Sequence, residues 1–540
     1  MKHKGNLYRL TSSTLIAIIF ILLLAGSPRA EECTTAIVSG AATPDGRPLL
    51  WKNRDADDAN NKLVFLSDGP LAAAGIVTAG SSTSIWMGVN EAGFAIENSV
   101  SDDLEGSSTA ENGTFMKYAL LHSATVADFE ALLVQTNSPG RATKANYGVI
   151  DASGAAALFE AGNHTFRKYD TADPSDAPWG FIVRTNFAFT GDGSGTGYVR
   201  YDRAVELLTG AALAGTLSYD FLLRVAARDL KNDVVDPYPL PYEGGQDNRP
   251  PGYIRTANSI NRFKTRSCAV FRGILRGEEP RLTTMWTILG EPVCAVALPV
   301  WPLAGSVPPE LGGSPTAPLC DAAIAKKAAC YPLAASQEYL DTYALDDGPE
   351  NGVFSYTGPI EDWIRARTEA RLAEWRASVP TPLAVSAVQN ETALQAYWCF
   401  LSSSVPNDVL SAPLDLTCRT LENRSLLLRE YVHSLTWQPP AVGSASAYRI
   451  YDVSAGNRVL LAEVPAGGQS YLRRRADSGK DYIYAVLGVD VTGTEGSPAC
   501  VEPGAAARQP DRVSGKSARV LNMASELAGV LRRVSFRGLL

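Results

Sequence analysis

"EECTTAIVSGAATPDGRPLLWKNRD", residues 31–55, reads as two strands around a turn. "CTTAIVSG" and "PLLWKN" are apolar, β-prone runs, and the Asp45-Gly46 pair between them is a hairpin-type turn. The first strand opens on a lone cysteine, Cys33, and the second runs out into Lys52-Asn53-Arg54-Asp55. A cysteine so placed is a disulfide half, a lipid anchor, or a nucleophile about to become the first residue of a mature chain.

The residues ahead of it narrow the choice. Lys2, Lys4 and Arg9 precede the apolar run "LIAIIFILLLAG" (15–26), and "SPRA" (27–30) ends on a small residue. That is the order of a secretory signal, and the run is short for a bilayer span. Glu31-Glu32 stand where a lipidation motif needs small residues. Residues 1–30 therefore read as a signal peptide and 31–32 as a short propeptide. The protein is expected to be exported, periplasmic or extracellular.

Composition agrees with an exported globular protein of two or three domains: 540 residues, 45% hydrophobic, 20% charged. A net charge of −8 without a long basic stripe in the folded part argues against nucleic acid as a partner. Eight cysteines are too few for a disulfide scaffold, and a free thiol at Cys33 would leave an odd number. Cys320 and Cys330 could close a short loop, but connectivity is not legible.

Two further hairpins follow the first. "SIWMGVNEAGFAIENSV" (84–100) turns at Asn90–Gly93, and "YGVIDASGAAALFEAG" (147–162) turns at Asp151–Gly154. "FMKYALLHSATVADFEALLVQ" (115–135) has apolar residues at helical spacing, and "DRAVELLTGAA" (202–212) begins another helix. Hairpins interleaved with helices predict stacked sheets covered by helices. The charged helix "EDWIRARTEARLAEWRAS" (361–378) closes a first domain, 33–378, and 379–410 reads as linker or irregular chain. Residues 411–505 are short alternating strands that resemble a fibronectin type III domain. Trp437 is its core tryptophan, with strands at "YRIY" (448–451) and "YIYAVLGVD" (482–490). The tail, 506–540, reads as disorder or a frayed helix.

Hydrolytic nucleophiles usually take a histidine as base. The histidines are His3, His122, His164 and His433, none in a metal-ligand pair, and no HExxH, CxxC or GxSxG motif occurs. No metal or cofactor is implied. An N-terminal cysteine carries its own base. An α-amine titrates at about 7.7–8.0 and a thiol at about 8.5, so the amine can take the thiol proton at neutral pH.

Five pieces in order resemble the N-terminal-nucleophile amidases, above all the penicillin acyltransferase branch and its choloylglycine hydrolase relatives. They are "CTT" (33–35), "DGRPLLWKNRD" (45–55), "GVNEAGFAIENS" (88–99), "YGVIDASGAAALFE" (147–160) and "VRTNFAF" (183–189). "YVRYDRA" (198–204) then resembles the family's arginine-bearing helix start. The resemblance implies an α+β protein, a four-layer αββα sandwich followed by the all-β fibronectin-like sandwich. It implies Cys33 as nucleophile, Asp55 as amine holder, Asn98 and Asn186 as oxyanion donors, and Arg200 as the active-site arginine. Arg203 is the alternative arginine, on the substrate side with Lys52. Lys52 stands where bile-salt hydrolases have arginine, which favours the acyltransferase branch, and Phe187 follows Asn186 where histidine is frequent. Glu160 reads as an ion-pair carboxylate ahead of a catalytic one.

The expected reaction is cleavage or transfer of the acyl group of a linear amide through a thioester on Cys33. The expected partner is a small N-acyl amide, with the C-terminal sandwich open to a cell surface or polymer. A dipeptidase of the related N-terminal-cysteine peptidases and a catalytically silent surface-binding protein stand as alternatives. The acyl chain, the amine and the oligomeric state are not specified.

Overall fold

A computed structural model of the chain describes residues 32–507, apart from 334–337, 349–350, 404–409, 411, 425–428, 441–442, 455–457, 478–479, 481 and 502. The signal segment, Glu31 and residues 508–540 lie outside the described residues.

The opening hairpin is β1 (Glu32–Val38) and β2 (Leu49–Asp55), paired antiparallel from Glu32 opposite Asp55 to Val38 opposite Leu49. Every residue of β2 is buried, because the strand is central in its sheet and covered on both faces. That is why its first half, Leu49-Leu50-Trp51, is a continuous apolar run and not an alternating one.

Strands β3 (Asn61–Leu66), β4 (Ala73–Thr78), β5 (Met87–Asn90), β6 (Ala95–Val100), β7 (Ala145–Ile150), β8 (Ala156–Ala161) and β9 (Phe166–Asp170) form a seven-stranded sheet in chain order. β10 (Phe181–Arg184) returns to pair with the other side of β1. β11 (Tyr253–Arg255) pairs with the later strand Tyr339–Asp341 in a small separate sheet. β12 (Thr265–Arg272), β13 (Thr284–Leu289) and β14 (Leu298–Val300) complete a six-stranded sheet of order β10-β1-β2-β12-β13-β14. All neighbours in both large sheets are antiparallel.

The two sheets stack through β1 and β2 against β6 and β7. Ile37 and Leu50 share a core with Met87, Val89, Ala95 and Leu158. Helices Asn112–His122 and Val126–Asn137 cover the seven-stranded sheet, placing Met116, Leu120, Phe129 and Leu133 on Phe94, Ile96, Tyr147 and Phe159. Helices Tyr198–Leu213 and Tyr219–Arg224 cover the other sheet. The layers are helix, sheet, sheet, helix.

Three sequence expectations differ from what is observed. The 115–135 stretch is two helices and not one. Thr125 Oγ1 accepts from the Asp128 amide at 3.1 Å while Asp128 Oδ2 accepts from the Thr125 amide at 2.9 Å, a reciprocal cap that starts a second helix. The stretch assigned as linker, 379–410, contains the helix Pro382–Ser402, with Thr381 as its N-cap. It is apolar on several sides because it packs between helices Phe354–Ala377 and Pro318–Cys330, so no single stripe marked it. Cys320 and Cys330 lie at opposite ends of one helix, about 15 Å apart along its axis, which is beyond disulfide reach. No disulfide joins any of the described cysteines.

The C-terminal unit is two four-stranded sheets enclosing Trp437, Tyr448, Ile450, Tyr484 and Val486. "YRIY" lies in the strand Ala447–Asp452, and Tyr484–Val489 is the strand within 482–490. Trp398 from the helix Pro382–Ser402 packs on Tyr451, with ring centroids 5.9 Å apart, and joins the two units. No described helix is long and apolar enough to cross a membrane.

Candidate active site

The central position of β2 carries its polar end, Lys52–Asp55, into the interior, where each is at most 1% exposed. Buried polar groups need partners, and these four define the surroundings of Cys33. Lys52 Nζ donates to Asn98 Oδ1 at 2.8 Å and to the Trp86 carbonyl at 2.9 Å. Asn53 donates to the Ala227 carbonyl at 2.9 Å, tying the strand end to the covering helices. Arg54 lies directly across the ladder from Cys33, donates to Asn61 Oδ1 at 2.9 Å, and sits 4.4 Å over the Trp86 ring. Asp55 accepts from Thr265 Oγ1 at 2.7 Å and from Arg262 at 3.5 Å, with Arg200 at 3.9 Å. Burial pushes the Asp55 carboxyl upward, opposed by Arg262, Arg200 and the Thr265 hydroxyl.

Cys33 is 1% exposed with Glu32 attached. Its backbone nitrogen donates to a side chain, Asn186 Oδ1, at 2.8 Å. Asn186 follows β10, the strand that pairs with β1, and its Nδ2 donates to the Val100 carbonyl at 3.0 Å. The same Asn186 Oδ1 accepts from Arg200 at 2.9 Å. Arg200 also donates to the Cys33 carbonyl at 2.6 Å, to Thr34 Oγ1 at 3.0 Å and to Glu32 Oε2 at 3.1 Å. Gly197, at φ 89°, lets the helix start this close, since a Cβ there would stand 2.7 Å from Arg200 Nη2.

The structure therefore brings Cys33, Asp55, Asn186 and Arg200 together. Lys52 and Asn98 form a separate buried pair. Arg203 is elsewhere: one turn along the helix it makes a two-bond pair with Asp229, at 2.7 and 3.0 Å, and a further pair with Glu206 at 2.9 Å. Glu160 is paired with Arg184 at 2.7 Å and also accepts from the Phe189 and Thr190 amides, a structural clamp.

Sequence reading missed three participants. Arg262 bonds to both Glu32 and Asp55, Thr265 bonds to Asp55, and Glu32 bonds to both arginines. Arg262 and Thr265 lie in "SINRFKTR" (259–266), which has no turn or spacing signal. The carboxyl of Glu97 is fully buried between the sheets, against Gly148, Leu50 and Ile37. Burial lifts it well above the usual carboxylate range despite the attraction of Lys52. Among the described residues no cluster of His, Cys, Asp and Glu could hold a metal.

No protein-family model matches the chain, and no curated protein matches it in sequence. Solved structures do. A mutant form of conjugated bile acid hydrolase from Clostridium perfringens is 12% identical, over 48% of this chain and 89% of that one, with a TM-score of 0.29. Penicillin V acylase from Agrobacterium tumefaciens is 16% identical, over 50% of this chain and 86% of that one, with a TM-score of 0.30. A Fn3-like protein from Clostridium thermocellum is 20% identical, over 20% of this chain and all of that one, with a TM-score of 0.14.

Proposed function

We propose that the chain is an exported amidase or acyltransferase whose nucleophile is the Cys33 thiol, once Cys33 is the first residue. One observation carries this reading: the Cys33 nitrogen bonds to the buried side chain of Asn186, which Arg200 holds in turn. That nitrogen meets Asn186 Oδ1 at 2.8 Å, with Arg200 bound to the same oxygen and Asp55 within 3.9 Å of Arg200. A buried strand amide needs one acceptor, and an α-amine formed at the same place would find that acceptor already fixed by Arg200.

In the proposed reaction the α-amine takes the thiol proton, and the thiolate adds to the amide carbonyl. Asn186, with the side chain or backbone of Asn98, stabilises the oxyanion. The C–N bond then breaks as the ammonium returns its proton to the leaving nitrogen. Water or a second amine takes the acyl group from the thioester. Asp55 balances the charge of the amine when it is protonated, and Arg200 and Arg262 hold Asp55 in its ionised form. The substrate is a small N-acyl amide, and the C-terminal sandwich serves as a contact module for a cell surface or polymer.

The test is the N-terminus of the active protein. Cleavage after Ala30 leaves Glu31-Glu32-Cys33, and a Cys33 nitrogen in a peptide bond is not a base. Intact mass is expected to show an active chain that starts at Cys33. Self-processing by thiol attack on the Glu32 carbonyl would fail in Cys33→Ala, whereas trimming by another peptidase would not. Activity in a chain that still carries Glu32 would sink the mechanism. A substrate panel of penicillin V, conjugated bile acids, N-acyl amino acids and dipeptides separates amidase from dipeptidase. A silent binding protein would leave Cys33 unacylated by all of them.

A further inference from the structure

The Glu32 carboxylate occupies a site that its own removal would leave charged and empty. It bonds to Arg200 at 3.1 Å and to Arg262, while Asp55 supplies the other carboxylate facing these two guanidiniums. The arginine side chains are 2% and 12% exposed and that of Glu32 is 30% exposed, so the place it fills is reachable from solvent. Once Glu32 departs, two arginines face one carboxylate, and the new α-amine adds no negative charge. A buried cation that loses its partner is strongly unfavourable, so the vacated place calls for another anion.

The chemistry of Glu32 indicates where that anion sits. Three carbons separate its backbone carbonyl from its side-chain carboxylate, as in glutaric acid. We infer that the processed protein binds a substrate carboxylate in the place vacated by Glu32. Its preferred acyl donors are mono-amides of a dicarboxylic acid of about five carbons, read by Arg200 and Arg262. This rests on the reading of Cys33 as nucleophile. In turnover the thiolate adds to the glutaryl amide carbonyl, and the C–N bond breaks as the amine takes the proton from the Cys33 ammonium. Water then cleaves the glutaryl thioester to glutarate and the thiol.

The experiment compares glutaryl and pentanoyl p-nitroanilides, which differ only in the terminal carboxylate. The protein is expressed from the full sequence, and its N-terminus is verified by mass. Hydrogen bonds to a charged group predict a kcat/KM preference for glutaryl of roughly 10- to 100-fold. Arg262→Gln is expected to bring that ratio near one, and Arg262→Lys to keep part of it. Equal turnover of the two donors, or a ratio unmoved by Arg262→Gln, overturns the carboxylate site and leaves the nucleophile in place. So does a preference for a carboxylate on the amine side, read with pentanoylglycine against pentanoyl methylamide. Release from neither donor with no acyl mass on Cys33 overturns the nucleophile reading, and this inference with it.

Discussion

Asp55 is a carboxylate that burial works against and two arginines hold. Asp55→Asn keeps the shape and the Thr265 contact but removes the charge that faces the arginines. Turnover is expected to fall by about 100-fold or more, with circular dichroism unchanged. Wild-type activity in that variant would remove Asp55 from the mechanism. Glu97 makes a separate prediction. Its folded-state pKa lies well above the unfolded value of about 4.3, so the folded chain binds the extra proton. The stability it contributes is complete below pH 4 and is lost as pH rises toward the folded value. Glu97→Gln, neutral at every pH, should therefore melt higher than the wild type at pH 8 and equally near pH 4. The opposite ordering would mean that Glu97 is an ionised partner of Lys52. Gly148 faces this carboxyl, and a Cβ there would collide with Glu97 Oε1.

At the scale of elements, the start of the helix Tyr198–Leu213 decides how Arg200 reaches Cys33. Gly197 sits at positive φ with Arg200 Nη2 and Thr185 against it, whereas Gly215, also at positive φ, has nothing near its absent Cβ. Both alanine variants pay for the backbone conformation, by roughly 1 kcal/mol. Only Gly197→Ala should also lose activity, because it displaces the arginine. Equal activity in the two variants, measured on one amide substrate, would show that Arg200 tolerates displacement. The reciprocal cap at Thr125 is a purely structural feature by comparison. Thr125→Ala should cost about 1 kcal/mol in urea unfolding, with turnover unchanged.

At the scale of the molecule, all residues around Cys33 precede the C-terminal sandwich, the last of them being Thr265. Deleting 411–540 should therefore leave turnover of small amides largely intact. It should lower the urea midpoint, because Trp398 loses Tyr451 and its neighbours. A buried aromatic of this kind is worth about 1.5–3 kcal/mol. Loss of turnover in a truncated chain that still shows a cooperative transition would place the sandwich at the substrate's entrance.

The hairpins are legible in the sequence, although the first is joined by a longer connection, 39–48, which holds a 3-10 helix at Gly40–Ala42 before Asp45-Gly46. The pairs at Asp45-Gly46, Asn90–Gly93 and Asp151–Gly154 are local, closed by bonds within a few residues, so turn chemistry and apolar runs suffice to show them. The sequence also singled out Cys33 and Asp55, because both sit at ends of one hairpin. Which of Arg200 and Arg203 lies against Cys33 is legible only in three dimensions. Both lie on one helix within a turn of each other, and which one meets Cys33 depends on how that helix docks on β1 and β10. Only the tertiary structure brought Arg262 to Glu32 and Asp55, across 230 and 207 residues of chain. It alone also showed Pro382–Ser402 to be a helix, since its burial on several sides erased the stripe by which surface helices announce themselves. Periodicity records a boundary between core and water. Where an element has no such boundary, or a contact joins distant segments, its position is set by packing and leaves no local trace.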